Sequence, residues 1–150
     1  MTQSEYRTIL FLCTGNYYRS RYAEIVFNAL ARERGLPWTA ASRGLAPDPR
    51  NQGPLSRHTL EALRTRGIDA APYAREPIAV TDADFAAAGL VVAVKEAEHR
   101  AMVERDFPQR LLQVEFWHVH DLDCAEPADT IAALDLLLAA LVDRLQAAAR

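Results

Sequence analysis

The sequence is poor in cysteine and almost without lysine. Cys13 and Cys124 are the two cysteines among 150 residues, too few for a disulfide framework. No N-terminal stretch resembles a signal peptide, so we expect a reduced, cytoplasmic environment. Lys95 is the single lysine, and every other basic side chain besides histidine is arginine. The net charge of −3 argues against nucleic acid or an anionic membrane surface as the main partner, although it permits a local basic pocket.

Long uninterrupted apolar runs are also missing. The longest apolar stretch, residues 131–145, is interrupted by Asp135, Asp143 and Arg144, a pattern typical of a packed amphipathic helix and not of a membrane span. There is no internal repeat and no long linker. Because half of the 150 residues are hydrophobic, the chain can bury a core of its own. We therefore expect a single domain over residues 1–150.

Short apolar runs alternate with helical patterns along the chain. This alternation predicts an α/β fold, in which a parallel sheet is covered by helices on both faces. In such sheets ligands bind beyond the carboxyl ends of the strands, where we expect Cys13 and Asp121 to lie. The predicted strands are 8–13, 38–42, 90–94 and 114–117. The predicted helices are 20–35, 56–66 and 95–104, together with a short helix that opens at residue 81 and a last helix that starts at Asp129.

Local signals give further detail for two of these helices. Ser56 is placed to cap the second helix, and its spacing predicts that Leu60 and Leu63 both face the core. Thr81 with Asp84 fits a capping box that opens a short helix. The segment 44–54 contains several prolines and glycines and is predicted to be a loop. His58 and His99 are expected on solvated helix surfaces.

The most informative segment is residues 13–20, which follow a buried strand and lead into a helix. Cys13 stands at the strand end, where a helix N-terminus and a nearby guanidinium favour the reactive thiolate. Gly15 permits a positive φ and Asn16 tolerates one, so the turn can present successive N–H groups to an anion. Arg19 offers a planar fork for two phosphoryl oxygens, and the Ser20 hydroxyl can donate to the thiolate. The alternative is an inert buried cysteine beside an ordinary turn.

Residues 9–24, ILFLCTGNYYRSRYAE, closely resemble the signature of the low-molecular-weight protein tyrosine phosphatases. The similarity extends over most of the chain, through residues 42–44, 58–69 and 73–75. The resemblance implies a three-layer α/β/α sandwich around a four-stranded parallel sheet of order 2-1-3-4, with the nucleophile loop at the C-terminal end of strand 1. It also implies a cysteinyl-phosphate intermediate without a metal or other cofactor. The implied roles are catalytic for Cys13 and Arg19 and phosphate-binding for Thr14, Gly15, Asn16, Tyr17, Tyr18 and Ser20.

The resemblance also implies a general acid. Residues 117–121, WHVHD, resemble the family segment that ends in Asp-Pro, whose aspartate is the acid. Carried over, Asp121 protonates the leaving phenolate and then activates water. Asp123 is the second candidate for this role, and an ordinary loop or helix-cap aspartate is the alternative for Asp121. Leu122 stands in place of the proline, which leaves the loop less rigid.

Other departures from the family pattern affect the pocket. Tyr18 replaces the second cysteine of many relatives, so a disulfide between that position and Cys13 is impossible. Aromatic residues that often stack on the substrate are missing from the loop 44–54 and from the positions after the acid. Tyr17 and Tyr18 could supply these walls, or they could pack into the core. The residues Val94-Lys95 stand where the family often has Met-Asp, which leaves a supporting carboxylate in doubt.

The function predicted from the sequence is hydrolysis of phosphotyrosine-like aryl phosphate monoesters, on a phosphoprotein or a small molecule, by a monomer. One alternative is arsenate reduction with an external small thiol, since Cys124 is the one further cysteine. A second is a module that binds phosphotyrosine without turnover. A third is metal binding, because five residues of ligand type lie close together in sequence: His118, His120, Asp121, Asp123 and Cys124.

Overall fold

A four-stranded parallel sheet forms the centre of the computed structural model, which describes residues 6–51 and 53–149. The strand order is β2-β1-β3-β4, and every neighbouring pair is parallel. The predicted sheet and its order are therefore confirmed. Residue 52, inside the predicted loop 44–54, and the chain ends at 1–5 and 150 lie outside the described residues. The strands are β1 Arg7–Cys13, β2 Trp38–Gly44, β3 Leu90–Ala93 and β4 Val114–Phe116.

In the part of the chain that the structure describes, five α-helices connect and flank these strands, each close to its predicted position. The last helix begins at Pro127, two residues before the predicted start at Asp129, because proline is well suited to the first turn of a helix. The helices are α1 Arg19–Arg34, α2 Arg57–Thr65, α3 Asp82–Ala87, α4 Glu96–Asp106 and α5 Pro127–Ala148, with short 3-10 turns at Ala71–Tyr73 and Pro108–Gln113.

Strand β1 is buried on both faces and divides the core in two. Because side chains alternate along a strand, Phe11 points to one face and Leu10 and Leu12 to the other. Phe11 packs in a cluster with residues of α1 and α5. Leu10 and Leu12 pack with Phe85 of α3 and Val103 of α4. The predicted three-layer α/β/α arrangement is thus confirmed.

Helix α2 confirms one local prediction and corrects another. The Ser56 hydroxyl accepts a hydrogen bond from the His58 N–H at 3.1 Å, as expected of an N-cap. Leu63 is fully buried, but Leu60 is 40% exposed, so the prediction that both face the core is wrong. The inner face is set by Thr59 and Leu63, one helical turn apart, and Leu60 lies about 100° around the helix from Thr59.

Strands β1 and β2 end side by side, with Cys13 opposite Gly44. Gly44 lies directly beneath the loop that follows Cys13. A Cβ atom at this position would lie 2.9 Å from the Thr14 carbonyl oxygen and 3.0 Å from the Asn16 Cβ. Since these contacts are with backbone and with a buried side chain, the loop can keep its position only above a glycine.

We expect Gly44→Ala to lower the free energy of unfolding by about 1–3 kcal/mol, because the added methyl group overpacks this contact. Gly89→Ala is the matched control, since its nearest neighbour would be the flexible Arg7 side chain at 3.3 Å. Urea unfolding of the two variants checks the prediction. Equal stability of both variants would contradict it.

Candidate active site

Cys13 lies at the carboxyl end of β1 and is 2% exposed. Its Sγ lies 3.0 Å from the Ser20 Oγ in the first turn of α1. The Asn16 amide donates to the same Ser20 Oγ at 3.0 Å. Because this oxygen already accepts from Asn16, the Ser20 hydroxyl hydrogen is available to Cys13 when the thiol ionises. The predicted proximity of Ser20 to the sulfur is therefore present.

Asn16 holds the loop in shape from its centre. It has a φ of 51°, and it is the one non-glycine residue with positive φ within residues 6–51 and 53–149. Its amide nitrogen also donates to the Ser42 Oγ at 2.9 Å, and its amide oxygen accepts from Arg75 at 2.9 Å and from the Ile78 N–H at 3.0 Å. These three bonds, together with the one to Ser20, keep Asn16 in a conformation that few residue types tolerate.

Gly15 permits the left-handed conformation but does not adopt it, because the residues of positive φ include Asn16 and not Gly15. The turn uses Asn16 for that purpose. A Cβ atom at Gly15 would lie 3.4 Å from the Asn51 amide nitrogen, at the short end of ordinary van der Waals contact.

Four carbonyl oxygens of the loop are held by neighbouring segments. In a trans peptide the N–H points opposite to the carbonyl, so these bonds turn the loop N–H groups away from those segments. Such an arrangement suits anion binding at the start of α1. The Cys13 carbonyl accepts from the Leu45 N–H at 2.9 Å, and the Thr14 carbonyl accepts from the Ala46 N–H at 2.8 Å. The Tyr17 carbonyl accepts from the Ser56 N–H at 3.0 Å, and the Tyr18 carbonyl accepts from the Thr59 hydroxyl at 3.1 Å.

Arg19 is the first residue of α1 and is 2% exposed. Its guanidinium donates to the Glu98 carboxylate at 2.9 Å, to the Asp121 carboxylate at 3.3 Å and to the Val119 carbonyl at 3.1 Å. Burial alone would lower the pKa of Arg19, but the negative charges of Cys13, Asp121 and Glu98 raise it above its ordinary value. A permanent positive charge therefore lies beside the sulfur.

A cavity of about 250 Å³ brings the predicted catalytic residues together. Asp121 is half-buried at its edge, and its second carboxylate oxygen accepts the Leu122 N–H at 2.8 Å. Asp123, the second candidate acid, is exposed and lines the same cavity. Thr14, Asn16 and Ser20 are not part of the lining. The lining residues are Cys13, Gly15, Tyr17, Tyr18, Arg19, Asn51, Ser56, Asp121, Leu122 and Asp123.

Residues 8–149 match the family model described as low molecular weight phosphotyrosine protein phosphatase. The chain belongs to this family. It is 32% identical over 99 residues to a protein-arginine-phosphatase of Bacillus subtilis, and 30% identical over 109 residues to a low molecular weight phosphotyrosine protein phosphatase of Sus scrofa. These matches cover 66% and 67% of this chain and 62% of the length of each relative.

Solved structures of the family superpose on the chain. A low molecular weight protein tyrosine phosphatase from T. tengcongensis is 26% identical with a TM-score of 0.75, and the match covers 93% of this chain and 97% of that one. A mutant of YwlE from Bacillus subtilis is 25% identical with a TM-score of 0.78, covering 93% and 99%. The fold of this family member is therefore shared over nearly its whole length.

Glu98 is a site residue that the sequence did not reveal. It lies in the first turn of α4 and binds Arg19, and its other oxygen accepts the Thr14 hydroxyl at 3.0 Å. Burial opposes ionisation, but Arg19 and neighbouring groups hold the pKa of Glu98 below its ordinary value. The carboxylate that the residues Val94-Lys95 lack is thus supplied one helical turn later. The signal available in the sequence was the position of Glu98, just after a strand that ends at the same edge of the sheet.

His99 is fully buried, so the prediction of a solvated surface is wrong. Val103, one turn further along α4, is buried as well, and the two share the inner face of the helix. The Lys95 N–H donates to His99 Nδ1 at 3.1 Å, which places the ring proton on Nε2, 3.1 Å from the Thr14 hydroxyl oxygen. Burial lowers the pKa of His99 to about 4, although Glu98 opposes the shift. The ring is therefore neutral near pH 7.

The two tyrosines of the loop have separate positions. Tyr17 is half-buried and lines the cavity, as expected of a residue that forms a wall of the substrate pocket. Tyr18 is 6% exposed and packs its ring 5.7 Å from the His58 ring. Its hydroxyl is buried, and burial raises the pKa of Tyr18. Tyr18 is therefore mainly a packing residue.

The structure gives no support to metal binding around His118. Across residues 6–51 and 53–149, no three His, Cys, Asp or Glu side chains are grouped so that they could hold a metal ion. Cys13 and Cys124 are both free thiols. None of the described helices is both long enough and apolar enough to span a membrane.

His99 should give folding stability a specific pH dependence. The ring has a pKa near 6.5 in the unfolded chain and about 4 in the folded one, so only the unfolded chain gains this proton between these values. The contribution of the neutral His99 ring to the free energy of unfolding is therefore complete above pH 6.5 and is lost as the pH falls toward 4. Between pH 7 and pH 5 we expect His99 to lower the free energy of unfolding by about 2 kcal/mol.

Urea unfolding at several pH values checks this prediction. His99→Gln should flatten the decline between pH 7 and pH 5, whatever its own stability at pH 7. His118→Gln, which replaces an exposed histidine, should decline as the wild type does. Parallel curves for the wild type and His99→Gln would show that the buried ring does not carry the effect.

Proposed function

We propose that this family member hydrolyses aryl phosphate monoesters of the phosphotyrosine type through a cysteinyl-phosphate intermediate. The observation that carries the proposal is one cavity lined by the Cys13 thiol, the Arg19 guanidinium and the Asp121 carboxylate. These three groups supply a nucleophile, a positive charge for phosphoryl oxygens and a proton carrier. Family membership supports the same reaction.

In the first step the Cys13 thiolate attacks phosphorus and the bond from phosphorus to the phenolic oxygen breaks. Arg19 and the loop N–H groups bind the three equatorial oxygens, where the transition state carries its charge. These N–H groups belong to the segment from Thr14 to Arg19. Asp121, protonated at the start, gives its proton to the departing phenolate. The products are a free phenol and a phosphorylated Cys13.

In the second step water attacks the phosphorus atom of the cysteinyl phosphate. Asp121, now ionised, takes a proton from that water, and the sulfur–phosphorus bond breaks to release inorganic phosphate. The Cys13 thiolate leaves, stabilised by Arg19 and by the Ser20 hydroxyl 3.0 Å away. The position of Asp121 at the cavity edge, half open to water, suits both halves of the reaction.

The other predicted attributes remain predictions. Arsenate reduction with an external thiol needs only Cys13 and the same anion site, whereas a binding module needs no acid at all. The presence of Asp121 3.3 Å from Arg19 favours turnover over binding alone. The predicted cytoplasmic location, monomeric state and lack of a cofactor rest on the sequence alone.

Cys13→Ser should abolish hydrolysis of p-nitrophenyl phosphate, because a serine hydroxyl at this position is a far weaker nucleophile than a thiolate. Cys124→Ser is the matched control, since it removes an exposed thiol that does not line the cavity. Its rate should equal that of the wild type. Near-normal hydrolysis by Cys13→Ser would contradict the mechanism.

Asp121→Ala should lower kcat for p-nitrophenyl phosphate by roughly 10² to 10⁴, the usual contribution of a positioned acid. Asp123→Ala, in the same loop and on the same cavity, should leave kcat within about threefold of the wild type, because no ion pair ties Asp123 to Arg19 among the described residues. Steady-state rates of both variants decide the assignment. The reverse pattern would move the acid to Asp123.

A further inference from the structure

A second depression, of about 410 Å³, lies directly beside the catalytic cavity. It is bounded by the nucleophile loop, the start of α2 and the loop that carries Asp121. Tyr17, Ser56 and Leu122 line both spaces, so the depression continues the catalytic cavity along the surface. We call it the flanking groove and define it by Tyr17, Leu55, Ser56, Arg57, His58, Leu60 and Leu122.

Two leucines are exposed in the flanking groove. Leu60 of α2 is 40% exposed and Leu122 is 49% exposed, and both line the groove together with the half-buried Tyr17. Exposed aliphatic side chains that share one concave surface gain free energy when a partner covers them. Leu122 is also the residue that replaces the proline expected after the acid. The groove is therefore suited to an aliphatic side chain.

The flanking groove is fixed relative to the nucleophile. The Ser56 N–H donates to the Tyr17 carbonyl at 3.0 Å, and the Thr59 hydroxyl donates to the Tyr18 carbonyl at 3.1 Å. These bonds join the first turn of α2 to the loop that holds Cys13. A ligand that occupies both the cavity and the groove therefore meets a preformed surface, which limits the entropy lost on binding.

The charge on the flanking groove is positive although the chain carries a net charge of −3. Arg57 is exposed, and within the described residues it forms no ion pair, whereas exposed arginines such as Arg50, Arg100 and Arg105 each have an acidic partner. None of the residues that define the groove is acidic. An acidic side chain on the ligand would thus find an unpaired guanidinium.

We propose that the flanking groove selects protein substrates in which a large aliphatic residue adjoins the phosphotyrosine, with an acidic residue within reach of Arg57. Neighbouring residues of a peptide are 3.8 Å apart at Cα, so a phosphotyrosine in the cavity brings the adjoining side chain to the continuous groove. This inference rests on the proposed function and names the substrate class of the same site. Leu60 and Arg57 are the specificity-determining residues.

The test compares two phosphotyrosine peptides that have either leucine or glycine on both sides of the phosphotyrosine. The wild type should show a kcat/KM about five- to tenfold higher for the leucine peptide, as expected for partial burial of one leucine. Leu60→Ser should reduce this preference about threefold or more while leaving p-nitrophenyl phosphate hydrolysis unchanged, because that substrate does not reach the groove. The unchanged rate also shows that the variant is folded.

Leu136→Ser is the matched control, since it removes a 75% exposed leucine from α5, away from the groove. It should keep the full preference. Arg57→Gln should reduce the kcat/KM only of peptides that carry a glutamate near the phosphotyrosine. This inference alone would be overturned if the wild type hydrolysed p-nitrophenyl phosphate but did not prefer the leucine peptide. It would also be overturned if Leu60→Ser and Leu136→Ser showed the same preference for the leucine peptide. A wild type that does not hydrolyse p-nitrophenyl phosphate would overturn the proposed function and this inference with it.

Discussion

The buried charge of Arg19 is the constraint on which the rest of the site depends. A guanidinium that is 2% exposed at the start of α1 must be compensated, because an unpaired charge in the interior is very unfavourable. Glu98 and Asp121 provide carboxylates at 2.9 and 3.3 Å, and Val119 provides a carbonyl. Three separate parts of the chain are thereby held around one side chain: the nucleophile loop, the first turn of α4 and the loop after β4. The same charge then faces the cavity beside Cys13.

Further polar contacts hold the nucleophile loop, which contains Cys13, in a fixed conformation. Asn16 ties the loop to Ser20, Ser42 and Arg75, and Thr14 ties it to Glu98 and the neutral ring of His99. Each of these side chains has its partners in place, so the loop does not have to be ordered by the substrate. Preorganised donors of this kind stabilise charge that develops in a transition state at little reorganisation cost.

Apolar runs and helix signals in the sequence predicted the parallel sheet with helices on both faces, and the family resemblance implied its strand order; the structure confirms both. Cys13, Arg19 and Asp121 were selected from a short motif and from the resemblance, and they line one cavity. The sequence missed Glu98 and misplaced His99, since both depend on contacts with the nucleophile loop, more than 80 residues earlier. Leu60 shows the same limit at shorter range. Its spacing from Leu63 fits an inward stripe, but the contact of Thr59 with the loop sets the rotation of α2 and leaves Leu60 in solvent.

The central claim is that Cys13 takes the phosphoryl group during turnover, and mass spectrometry after rapid acid quench tests it most directly. The wild-type protein would be mixed with p-nitrophenyl phosphate, quenched within one turnover and digested. The account predicts that the peptide containing Cys13 gains the mass of one phosphoryl group and that the peptide containing Cys124 gains nothing. Release of p-nitrophenol with no phosphorylated peptide, or with the phosphoryl group on any residue other than Cys13, would contradict the account.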